Sequence, residues 1–72
     1  MVDELLKLEA RQQEVLLKTA RRVIPGLTSD DLLQPFDFPQ IEQDPLFRYE
    51  EGVLHGIQMA IACLRHEEKN SL

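Results

Sequence analysis

Apolar and small residues recur at three- and four-residue steps along two long stretches of this chain, and each stretch carries its own start or stop signal. Leu5, Leu8, Val15, Leu16, Thr19, Ala20 and Val23 follow helical spacing through a segment without glycine or proline, which predicts a helix over residues 3–24. Asp3 is its expected N-cap, with Glu4 beside it, and Lys18, Arg21 and Arg22 suit the negative end of the helix dipole. Pro25-Gly26 stops it. A second helix is predicted over residues 45–67. It opens on Asp44-Pro45, a capping residue followed by proline at the first helical position. Leu46, Tyr49, Val53, Ile57, Ala60 and Leu64 form its expected central stripe, widened by Phe47, Leu54 and Ile61. The polar stretch from His66 to Leu72 is expected to fray.

Residues 25–44 form a connector too long to be a bare loop in so small a domain. A short helical turn is expected over residues 29–34, capped by Thr28 or Ser29 and ended by Pro35. Phe36, Phe38 and Ile41 follow and are expected to fold back over the open end of the helix pair. The two rings of Phe36-Asp37-Phe38-Pro39 suit that capping role better than presentation to a partner, because apolar residues are scarce here. No strand is assigned.

Two helices of similar length, each roughly 30–35 Å long, with a connector able to turn back, predict an all-α fold. It is read as one domain over residues 1–72, an antiparallel helical hairpin. At about 100° per residue the apolar positions of each helix cover roughly half its circumference. One neighbour cannot shield an arc that wide, and a lone hairpin would leave an apolar strip in water. A homodimer closing as a four-helix bundle disposes of the strip, so dimerisation is expected. It also suits a 72-residue chain whose single cysteine, Cys63, excludes an internal disulfide.

Charge and composition narrow the classes of partner. The net charge of −5 speaks against nucleic acid and against anionic membrane surfaces. The longest apolar run, residues 59–64, is too short to span a bilayer, and the first residues lack the basic and apolar regions of a signal peptide. A cytoplasmic protein with a reduced thiol is expected.

Candidate sites are few. Gly52, Gly56 and Ala60 lie four residues apart inside the second helix, where each glycine costs about 1 kcal/mol relative to alanine. Their spacing is that of a close helix crossing, within the chain or between subunits, with exposed backbone on which a partner or ligand lies as the alternative. Leu5, Leu16, Ile57 and Leu64 complete the expected helix-contact set. Glu50 projects between Ile57 and Ile61, within the apolar arc, while Glu51 is expected to point away. A buried carboxylate needs a partner, and Lys18, Arg21 or Arg22 is the expected one, with a lining role in a binding site as the alternative. Glu9, Gln12 and Gln13 interrupt the apolar face of the first helix, so Glu9, Gln12, Glu50 and Arg22 are the buried polar candidates. Glu51, His55 and His66 share a face, but the spacing fits a solvated surface rather than a metal site. Cys63 has no neighbouring base, and no nucleophile–base pair or glycine-rich phosphate loop is recognisable. Neither catalysis nor a cofactor or metal is therefore expected. The expected function is protein–protein interaction by helix packing, as an adaptor or chaperone-like subunit. A polar ligand or metal site built from carboxylates and glutamines at the dimer core is the alternative.

Overall fold

Proline and capping residues divide this chain much as its sequence implies. The computed structural model describes residues 2–34 and 37–70, with side chains described as far as Glu67. Its elements are α1 (Val2–Arg21), a 3-10 turn (Asp31–Leu33), a four-residue α2 (Pro39–Glu42) and α3 (Pro45–Asn70), with no strand among the described residues. Leu16 and Ala20, near the end of α1, share one buried cluster with Phe47 and Leu54, near the start of α3. The two long helices are therefore antiparallel, and the molecule is a rod of 46 × 19 × 18 Å. Among the described residues no helix is long and apolar enough to cross a membrane.

Helix α1 differs from expectation at both ends. It already includes Val2, so Asp3 lies within the first turn, where its charge still favours the positive helix end, rather than at the cap. It stops at Arg21 rather than residue 24, because Pro25 disfavours helical geometry at Ile24 and the chain tightens beforehand. The Val23 and Ile24 amides both donate to the Ala20 carbonyl, at 3.0 and 2.9 Å. Arg21 then holds the turn, its Nε donating to the Leu27 carbonyl at 2.8 Å.

A reciprocal cap helps to order the connector. Thr28 N–H donates to the Asp31 carboxylate at 2.9 Å, and Asp31 N–H donates to Thr28 Oγ1 at 3.3 Å. This reciprocal pair is made by Thr28, not Ser29, and leads into the 3-10 turn, whose flanking residue Asp30 makes no side-chain cap of its own. Pro35 and Phe36 lie outside the described residues. Helix α2 was not anticipated, since four residues behind a proline carry no periodic signal. Its Ile41 is fully buried, and Leu27 joins it, with Ile24, Leu32 and Phe38 packed against the same cluster. The connector thus closes the open end of the helix pair, as expected of Phe38 and Ile41.

Asp44 caps α3 as its sequence implies, its carboxylate accepting from Phe47 N–H at 3.0 Å with Pro45 at the first helical position. The helix continues past residue 67 to Asn70, since no glycine or proline follows Gly56 to stop it. The larger correction is rotational. Phe47, Leu54 and Ile61, at seven-residue steps, are the buried line of α3. The expected central stripe lies to one side: Leu46, Tyr49 and Ala60 are exposed, and Val53, Ile57 and Leu64 are half-buried. The aromatic ring of Phe47 accounts for the rotation, because this facing buries it in one cluster with Ala20, Leu27 and Ile41.

Candidate helix-contact surface

Turning α3 so that Phe47, Leu54 and Ile61 face α1 puts its small residues on the outside. At about 100° per residue, Tyr49, Gly52, Gly56, Ala60 and Cys63 centre roughly 140–160° from the buried line. Leu46, Val53 and Leu64 flank them on one side and Met59 on the other. No charged side chain falls within this strip between Leu46 and Leu64. Tyr49 is 66% exposed and Met59 73% exposed, in keeping with an apolar face that the described residues leave uncovered.

Gly52 and Gly56 form the middle of the strip. A Cβ added at either would meet nothing within 4 Å. Among the described residues, then, the stripe makes no close crossing, and the backbone there is open. Of the other expected contact residues, Leu16 is buried in the hairpin's own core, while Leu5, Ile57 and Leu64 are half-buried beside it.

The polar candidates meet differently from expectation. Glu50 is half-buried, and its partner is Gln12 rather than a basic residue. The Gln12 amide donates to the Glu50 carboxylate at 2.6 Å and to the Glu50 carbonyl at 3.0 Å. Lys18 and Arg22 are exposed, and Arg21 is committed to Leu27. Lys18 projects from the outer side of α1 and Arg22 lies beyond its end, so neither faces Glu50. Arg22 is thus not a buried polar residue. Gln12 is buried, Glu9 half-buried and Gln13 exposed. Glu51 does not point away: its side chain is only 16% exposed and pairs with Arg48 at 3.1 Å. The buried line passes between positions 50 and 51, leaving the two carboxylates on opposite edges of α3.

This pairing yields a direct expectation. Glu50→Gln exchanges a charge-assisted hydrogen bond for a neutral one and should lower stability by about 1 kcal/mol. Glu51→Gln removes only an i,i+3 pair with an exposed arginine, for roughly 0.3 kcal/mol. Urea denaturation of both variants checks the order; equal losses would mean the Gln12 contact contributes nothing.

His55, Cys63 and His66 are all exposed, and among the described residues no three His, Cys, Asp or Glu side chains are grouped to hold a metal ion. What sequence reasoning missed lies on the Glu51 edge of α3. There α1, α3 and the 3-10 turn enclose an open groove, with Leu33 on its lip 78% exposed. The Thr28-x-x-Asp31 spacing was the available signal for that turn, and nothing in the sequence marked the groove itself. No protein-family model matches this chain, and no curated protein or solved structure matches it.

Proposed function

We propose that this protein is a non-enzymatic, cytoplasmic interaction module that works by helix packing, and that the outer strip of α3 pairs with a second copy to complete a four-helix bundle. The observation that carries this reading is the charge-free, exposed strip from Leu46 to Leu64 with open backbone at Gly52 and Gly56. Small residues let two helix backbones approach closely, and flanking apolar side chains then interlock around the crossing.

A second copy suits the strip for three reasons. The chain carries a net charge of −5, yet the strip itself is uncharged, so two copies can meet there without opposing like charges. An antiparallel crossing centred between Gly56 and Ala60 brings Arg48 of each copy level with Glu67 of the other, to within about one turn. Finally, the hairpin's own interior is small. Among the described residues its buried apolar set is Leu16, Ala20, Leu27, Ile41, Phe47, Leu54 and Ile61, a core size for which oligomerisation is a usual supplement. The Gln12–Glu50 contact ties α3 to α1 in the rotation that the packing of Phe47 sets.

Sedimentation equilibrium from roughly 0.1 to 100 μM should show passage from the 8.3 kDa chain to twice that mass, with a midpoint in the micromolar range. Cys63 lies within the strip, so its alkylation rate should fall roughly tenfold across the same range. A monomer mass throughout, with constant thiol reactivity, would remove the reading.

A further inference from the structure

A second surface, on the opposite edge of α3 from Glu50, is built differently. The groove there has a volume of about 760 Å³. Its floor is apolar: Leu16, Leu17, Leu32, Phe47 and Leu54. Its walls carry three carboxylates, those of Glu14, Asp30 and Glu51, and among the described residues that line it none is lysine or arginine. Arg48 offsets part of the Glu51 charge, so Glu14 and Asp30, both exposed, dominate the field at the rim.

The lip of the groove is held in place. Leu33 is 78% exposed, yet it sits on a 3-10 turn pinned by the Thr28–Asp31 capping box and by Leu32, which packs on the core beneath. A large apolar side chain fixed in water beside an apolar trough is half of a contact. The dimensions say what the other half is. On α3 the lining runs from Phe47 to Gln58, a rise of roughly 16 Å, or about three helical turns.

We propose that this groove receives one face of a short amphipathic helix from another protein, anchored by two or three apolar side chains and flanked by lysine or arginine. The length matches anchors spaced i, i+3 or i+4, and i+7. The acidic rim selects basic flanks and repels acidic ones, so this chain, at net charge −5, is a poor occupant of its own groove. The site is independent of the α3 strip: the groove borders the buried line on the Glu51 side, and the strip lies beyond Glu50.

The test is fluorescence anisotropy with a labelled 14-residue helical peptide carrying leucines at i, i+4 and i+7 and lysines alongside, titrated with the full chain. A second peptide keeps the leucines and replaces each lysine by glutamate. The basic peptide should bind roughly tenfold more tightly at low salt, and the ratio should shrink as salt is raised. Leu33→Ser, and separately the pair Glu14→Lys and Asp30→Lys, should each weaken it roughly tenfold while thermal melts show that the fold is retained. Tyr49→Ser, on the strip, should not. Amide shifts on binding should map to Gln13, Leu17, Leu33 and Gln58. Equal affinity for the two peptides, wild-type affinity in the Leu33 and Glu14–Asp30 variants, or shifts confined to the Gly52–Ala60 side would overturn the proposal. So would loss of the dimer in Leu33→Ser, which would assign the groove to a second copy. Sedimentation of the same samples reports the strip separately, so either proposal can fail without the other.

Discussion

Phe47→Ala is expected to leave the chain largely unfolded in dilute solution at room temperature. Phe47 is 1% exposed and packs among Leu16, Ala20, Leu27, Ile41 and Leu54, so it ties both long helices to both segments of the connector. Truncating a buried phenylalanine costs about 3–5 kcal/mol, combining lost transfer energy with the cavity left behind. A chain of 72 residues has a total stability of roughly 4–11 kcal/mol on per-residue averages, and a hairpin with so few buried apolar side chains belongs at the lower end. Leu46→Ala makes the sharp comparison. Leu46 precedes Phe47 by one position but is exposed, so its truncation should cost under about 1 kcal/mol in the monomer. Urea titrations followed by far-UV circular dichroism, below the concentration at which the chain pairs, check both. Similar losses at the two positions would mean that α3 is turned differently about its axis.

That comparison turns on what the sequence left open. The helices themselves were legible: Asp44-Pro45 starts α3 by a mechanism of cap and fixed backbone angle, and Pro25 bounds α1 from the far side. The rotation of α3 was not. When apolar residues cover half a helix, periodicity locates the arc but not the line within it that meets the neighbour, and Leu46–Tyr49–Val53 competes evenly with Phe47–Leu54–Ile61. Tertiary packing decided, through the ring of Phe47 and the connector residues Leu27 and Ile41, which are remote from it in sequence. The same uncertainty explains Glu50 and Glu51. Glu50 is half-buried, but which group on α1 it meets depends on helix register, which no local pattern encodes. Gln12 stands out in the sequence as an interruption of the apolar face, but nothing local marks it as that partner. Helix α2 was hidden for a simpler reason, since four residues cannot show a period.

The glycines were legible as an anomaly, and the structure makes the anomaly sharper. Because nothing lies within 4 Å of a Cβ at Gly52 or Gly56, alanine at either position is free of clashes in the single chain. Gly52→Ala with Gly56→Ala should therefore stabilise the monomer by about 2 kcal/mol, from helix propensity alone. In a domain of this size that corresponds to a melting temperature higher by roughly 8–15 °C. A use for bare backbone at these positions would account for a sequence that forgoes such a gain. If that use is the pairing of two α3 helices, Gly56→Leu acts with opposite signs on the two equilibria. The monomer should melt higher, since leucine outranks glycine in an exposed helix. The dimer should be lost: overpacking costs about 1–3 kcal/mol per site, and twofold symmetry presents the leucine twice, for roughly 2–6 kcal/mol in all. Each 1.4 kcal/mol is tenfold, so the dissociation constant should rise by a factor of roughly thirty to twenty thousand. Sedimentation and thermal melts on one preparation read both quantities. A more stable monomer with an unchanged dimer would place the interface elsewhere, and a less stable monomer would mean that this flank of α3 is covered by its own chain.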